Sequence, residues 1–214
     1  MLILALDTAG KTASCALLRD GQIVALERRD AMLDHSRTLL ALCQELLERH
    51  NLHVRDIDIF AAVTGPGSFT GVRIGVAAVK GFGWTQAKPC AGVSSLEAMA
   101  WAAPLGAEGI LCCRVTARPG EYYYAFFRRE GYLVTRLTGD AVGPADAIEA
   151  EAGRYAGCLT LTDAHNAAGA ALAAAAMAAE DKLDDCHSLA PSYLKRPQAE
   201  REREARLARE AESQ

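Results

Sequence analysis

Short apolar runs broken by turn residues open the chain. Residues 2–7, 13–19 and 22–28 read as three strands. Asp20-Gly21 between the last two is a hairpin signal, because Gly tolerates the positive φ of a tight turn. The period then changes. Leu39, Leu40, Cys43, Leu46 and Leu47 recur at helical spacing over residues 34–50, with Asp34 or Ser36 placed to cap the start. A strand over 57–63 and a helix over 68–84 follow, the helix entered through a Gly-Pro-Gly turn. A short strand (89–93) and a helix (94–103) complete this half.

The second half repeats the order. Strands are expected over 110–116, 121–128 and 132–137, with Glu130-Gly131 as the turn between the last two. A helix is expected to start at Pro144, a strand to cover 158–162 and a helix 165–180. The pattern βββαβα thus occurs twice at a nearly constant offset, Gly21 matching Gly131 and Leu2 matching Ile110. This predicts an α/β protein of two similar units, residues 1–104 and 105–194. Two such units facing each other are the plan of the actin-like ATPase (ASKHA) fold, where hairpin turns hold nucleotide phosphates across a cleft. That likeness of fold says little about function.

Composition narrows the classes. The 214 residues are 50% hydrophobic and 23% charged, a balance that excludes a disordered or fibrous chain. Lys and Arg number 23 and Asp and Glu 27, for a net charge of −4. The tail 195–214 stands apart, with six basic and five acidic residues and little that could pack. The acidic remainder argues against a protein that grips nucleic acid by itself. Seven cysteines without a CxxC pair read as buried thiols in a reducing compartment. The opening MLILALDTAG meets Asp7 too early for a signal peptide, and the alanine-rich run 167–179 is too short to span a bilayer. A cytoplasmic location without membrane attachment is expected.

The densest local signal is TGPGSFTGVRIG, residues 64–75. Gly65 and Gly67 flank Pro66 in a sharp turn, and Ser68 or Thr70 can cap the helix that follows. Gly71 and Gly75 share one helical face. Two glycines cost a helix roughly 1 kcal/mol each against Ala, so a close approach by another element is expected there. The turn lacks the Lys and Ser/Thr of a P-loop, which leaves a phosphate cradle and a packing face as the two readings. Arg73, a cation in the first helical turn, is expected to have an acidic partner. Asp7 and Thr8 end the first strand, where the actin-like plan holds Mg²⁺ and nucleotide, and Lys11 could meet a phosphate. No HxxxH pair or GxSxG elbow is present, so no catalytic or metal constellation is read.

With TGPGSFTGVRIG the chain resembles the TsaB (YeaZ) family, subunits of the bacterial machinery that forms threonylcarbamoyladenosine at position 37 of tRNA. LALDTAGKTASCALLRDG, HSRTLL, VSSLEAMA and APSYLKR are similar to family segments in the same order. The resemblance implies a non-catalytic scaffold without cofactor or metal, a relative of the catalytic subunit TsaD. Where TsaD carries two metal-binding histidines, the matching positions are Ser95 and Met99, and neither holds a hard metal. The implied partners are a TsaD-like subunit and a TsaE-like ATPase, with a homodimer when alone and only indirect contact with tRNA. The implied partner surface lies on residues 35–47 and 69–80: His35, Ser36, Leu39, Leu40, Cys43, Phe69, Thr70, Gly71, Arg73, Ile74, Gly75 and Ala78. There Gly71 and Gly75 would admit a partner helix and Arg73 would meet a partner carboxylate. Asp7, Thr8 and Lys11 would remain as a vestigial nucleotide site. Thr116 departs from the family, whose members often have an acid there. A stand-alone ATP-dependent phosphotransferase is the alternative. A metallopeptidase ranks last, because its zinc ligands are missing.

Overall fold

The computed structural model describes residues 1–30, 35–104 and 106–194. The charged tail and Asp34, offered above as a helix cap, lie outside them.

The first sheet has the order β3-β2-β1-β4-β5, from β1 (Leu2–Asp7), β2 (Thr12–Arg19), β3 (Gln22–Asp30), β4 (Ile59–Gly65) and β5 (Cys90–Ser94). β1, β2 and β3 form an antiparallel meander, and β4 and β5 run parallel to β1. Every residue of β1 and β4 is buried. Continuous apolar runs such as LILALD and IFAAVTG suit central strands covered on both faces. β3, at the edge, ends in Glu27, Arg28, Arg29 and Asp30, charges that protect an open strand from pairing. The hairpin turn is the expected one, with φ 50° at Asp20 and 82° at Gly21.

The second sheet repeats the meander. β10 (Leu159–Thr162), β6 (Gly109–Arg118), β7 (Glu121–Glu130) and β8 (Leu133–Arg136) lie in that order, with β10 parallel to β6. The repeat read from the sequence is therefore a repeat of topology, and the chain is an α/β protein of the actin-like plan. One strand was not foreseen. β9 (Ala141–Pro144) pairs with β7, placing Pro144 opposite Glu121. Pro144 therefore caps α4 (Ala145–Ala152) from an extended conformation rather than opening its first turn.

The helices α1 (His35–Arg49), α2 (Phe69–Gln86), α3 (Ser95–Trp101) and α5 (Ala167–Ala179) build the cores. α1 and α2 cover the first sheet. The last helix of each unit crosses over. Leu96, Met99 and Ala100 of α3 pack with Leu111, Val115 and Phe127 of the second sheet. Ala170, Ala171, Ala173 and Ala174 of α5 pack in the core of the first. The two helices meet backbone to backbone, since a Cβ on Gly169 would lie 1.8 Å from the Ala98 carbonyl oxygen. The sheets separate between α3 and β6, but the apolar cores interlock across that point.

Candidate functional site

The glycine segment is a junction inside the chain. Gly65 has φ +106°, which L side chains rarely adopt. Ser68 is the cap of α2: its Oγ accepts from Gly71 N at 3.2 Å, and its own N–H donates to the Ala9 carbonyl at 2.7 Å. A Cβ on Gly67 would lie 2.5 Å from the Ala9 oxygen, and one on Gly71 would lie 1.9 Å from the Thr8 oxygen. Thr8 Oγ1 donates to the Gly71 carbonyl at 2.7 Å, and a Cβ on Gly75 would meet that Oγ1 at 2.6 Å. The close approach expected at Gly71 and Gly75 is thus made by the chain itself, through Thr8 just after β1. Both glycines are buried, and the expectation that they admit a partner helix is corrected.

Asp7 and Thr8 are fully enclosed. Asp7 Oδ1 accepts from Ala9 N at 2.9 Å, a local turn bond. Asp7 Oδ2 lies 3.7 Å from Nδ1 of His165, and neither atom has a hydrogen-bond partner. Their side chains are 1% and 9% exposed. His165 comes from the segment before α5, in the second unit. Its ring rests on Gly10, where a Cβ would lie 2.6 Å from Cδ2. Nearby, Thr116 N and Oγ1 donate to the two oxygens of Asp163 at 2.8 and 2.6 Å. Thr116, noted above as a departure from the family pattern, is thus held by the carboxylate of Asp163. Lys11 is exposed. Imidazole, threonine and aspartate of the chain itself close the point where a phosphate site was expected. A cavity of about 280 Å³ lies beside it, lined by Arg28, Met99, Leu161, His165 and Asn166 among others.

The helices expected to bind a partner divide by face. Leu39 and Cys43 of α1 are core residues, packed with the first sheet, so their assignment to a docking surface is corrected. The neighbouring thiol of Cys43 and burial push the Cys15 thiol far up. Leu40 points outward and is 53% exposed, and Ser36 is exposed. His35 opens α1, and its side chain lies outside the described residues. On α2, Thr70 and Arg73 are exposed, and Phe69, Ile74 and Ala78 are half-buried. The same face continues through Ala77 and Gly81 to Trp84, which is 71% exposed. These three were not expected from the sequence, although their steps from Arg73, four, four and then three residues, are helical. A Cβ on Gly81 would meet nothing within 4 Å.

Arg73 is held by aromatic rings, not by the acid expected of it. Its guanidinium carbon lies 3.8 Å from the Phe69 ring centre, and its Nε donates to the Tyr193 hydroxyl at 2.7 Å. Tyr193 belongs to a strap of irregular backbone along α2. Asp184 exchanges backbone hydrogen bonds with Cys90, Lys80 Nζ donates to the carbonyls of His187 and Leu189, and Ser192 N donates to the Thr64 carbonyl. Leu189 is buried in the first core.

Ser95 and Met99 are both buried. Met99 sits among the apolar residues of the second core, where an imidazole would need a polar partner. Among the described residues, no three His, Cys, Asp or Glu side chains cluster as metal ligands. Burial raises the thiols of Cys90 and Cys112 to about 11, which makes them poor nucleophiles.

The family model described as "TsaD: tRNA N6-adenosine threonylcarbamoyltransferase" matches residues 29–153, more than half of the chain. The chain is similar to the tRNA threonylcarbamoyladenosine biosynthesis protein TsaB of Escherichia coli strain K12, with 38% identity over 61% of this chain and 56% of that protein. It is similar to the TsaB protein of Bacillus subtilis strain 168, with 32% identity over 65% and 61%. These matches span little more than half of the relatives' own length. Among solved structures, YeaZ from Pseudomonas aeruginosa superposes with a TM-score of 0.77 at 23% identity, covering 90% of this chain and 99% of that one. That likeness carries the fold.

Proposed function

The chain belongs to the TsaD family, described as tRNA N6-adenosine threonylcarbamoyltransferase, and from that membership we propose that it is a scaffold subunit that supports a TsaD-type catalytic partner. In this reading it has no turnover of its own. It acts in the formation of threonylcarbamoyladenosine in tRNA, as the names of its TsaB relatives suggest; position 37 is the site this reading assigns. The observation that carries the proposal is the closure around Asp7 and Thr8. Asp7 and Thr8 are buried and bonded within the chain, His165 lies over them, and Ser95 and Met99 are buried. Asp7, Thr8 and Ser95 are not presented to a substrate. The same burial removes support from a stand-alone phosphotransferase.

The surface the protein offers is the outer face of α1 and α2. Leu40, Ile74, Ala77, Ala78 and Trp84 make it apolar, and Gly81 keeps its middle flat. A TsaD-type subunit docks there, and a second copy of the chain docks there in its absence. A TsaE-type ATPase joins the assembled pair. The acidic chain leaves direct tRNA contact to its partner. Among the described residues no helix is long and apolar enough to cross a membrane, in keeping with work beside tRNA in the cytoplasm.

The test is reconstitution with purified subunits, tRNA and the threonylcarbamoyl donor, counting modified adenosine. The catalytic subunit with this chain is expected to modify tRNA many times faster than without it, and this chain alone is expected to be inactive. Turnover by this chain alone overturns the scaffold reading.

A further inference from the structure

The best-organised cation on the outer face of α2 is Arg73. It stands just past the first turn of a helix that has no acidic residue in that turn, near the positive end of the helix dipole, which opposes the guanidinium. Aromatic rings hold it in place. The guanidinium lies 3.8 Å from the Phe69 ring centre and 5.7 Å from that of Tyr193. The two rings lie 4.9 Å apart at 32°. Tyr193 also takes the Nε proton, at 2.7 Å, and is anchored in turn by the bond from Ser192 N to the Thr64 carbonyl. The plane and the inner nitrogen of the guanidinium are therefore fixed by the chain. Its two terminal nitrogens have no acceptor among the described residues, and the side chain is exposed.

A planar fork with both terminal N–H groups free matches the two oxygens of a carboxylate. A fork already immobilised loses less conformational freedom on binding than a loose Lys or Arg. We infer that Arg73, stacked by Phe69 and Tyr193, is a preformed receptor for one carboxylate of the partner protein, bound end-on at the Phe69 end of the docking face. The inference rests on the reading of that face given above. The neighbours of Arg73 decide between carboxylate and nucleic-acid phosphate. Ile74, Ala77, Ala78, Gly81 and Trp84 are uncharged, whereas a phosphate backbone is gripped by several cations together. Among the described residues of α2, Arg73 is the outer-face cation whose terminal N–H groups are free, since Lys80 is bound to the His187 and Leu189 carbonyls. One such fork fits a single Asp or Glu on a partner helix. Tyr193 is then a positioning residue. Through it the C-terminal strap sets the affinity of a surface built by the first unit.

The experiment is calorimetric titration of the full chain with the TsaD-type subunit of its own organism, with circular dichroism to confirm each variant's fold. Arg73→Lys keeps the charge and loses the fork, and is expected to weaken binding about tenfold. Tyr193→Phe removes the hydroxyl that orients Nε, and is expected to weaken binding about threefold in the wild-type background and not at all beside Arg73→Ala. Leu40→Glu, on the same face, is expected to abolish binding. Wild-type affinity in Arg73→Lys and Arg73→Ala with Leu40→Glu inactive overturns the receptor and leaves the face standing. Wild-type affinity in all three overturns the face as well. Equal effects of Tyr193→Phe in both backgrounds overturn the positioning role. If Arg73→Ala spares the protein partner but lowers tRNA retention on filters, with a flatter salt dependence, the acceptor is phosphate and the inference is wrong.

Discussion

The two faces of α2 use the same residue types to opposite ends. On the inner face, Gly71 and Gly75 leave no room: added Cβ atoms would lie 1.9 and 2.6 Å from the backbone oxygen and hydroxyl of Thr8. On the outer face, a Cβ on Gly81 would enter open space. Helical spacing alone shows that small residues share a side. It does not show what covers that side. The inner glycines weld the helix to Thr8 just after the first strand, and the outer small residues leave a flat surface free. The fold-specifying glycines and the candidate docking surface therefore lie on opposite sides of one helix, and substitutions on the two sides are expected to differ in kind.

The largest effect is expected from Gly71→Leu. A side chain driven into the Thr8 carbonyl cannot be relieved by a rotamer change, so the cost is about 4 kcal/mol or more, read as loss of cooperative unfolding in urea. A native-like transition in this variant would break the comparison. Next comes Ala77→Arg. It is expected to leave the urea midpoint unchanged and to weaken association with the TsaD-type subunit by roughly a hundredfold, about 2.7 kcal/mol. Thr8→Val removes the buried hydroxyl that bonds the Gly71 carbonyl and is expected to cost about 1 kcal/mol, measured the same way. The smallest change sharpens the contrast most. Gly81→Ala is expected to stabilise the protein by about 0.5–1 kcal/mol, the ordinary helix-propensity gain, whereas Gly71→Ala destabilises it despite the same gain. Equal effects at positions 71 and 81 would show that the two faces are not distinct.

Much of this architecture was legible in the residues. Asp20-Gly21 marked the first hairpin because a tight turn needs positive φ, whereas the second turn falls on Gly131-Tyr132, one residue later than expected, with Glu130 still paired to Leu133 in the ladder. Three features were not legible, each for a physical reason. β9 hides behind Gly143-Pro144, residues that argue against a strand until a partner such as β7 supplies one edge. The strap from Asp184 to Tyr193 has no period, because irregular backbone is held by single bonds from Lys80 and Thr64. The Asp7–His165 contact joins residues from the two units, and only the exchange of α3 and α5 between the cores brings them together. At the candidate site, Arg73 was visible as a cation out of place. Its partner was expected to be an acid and proved to be an aromatic pair, one ring of which lies far along the sequence.

The central claim is that the outer face of α1 and α2 receives a TsaD-type subunit while the inner face only holds the fold. Sedimentation equilibrium of that subunit mixed with the wild-type chain, and with Ala77→Arg, tests it most directly. The account predicts a stable one-to-one complex with the wild type and two separate species with the folded variant. A complex of equal strength with both, or with neither, would contradict it.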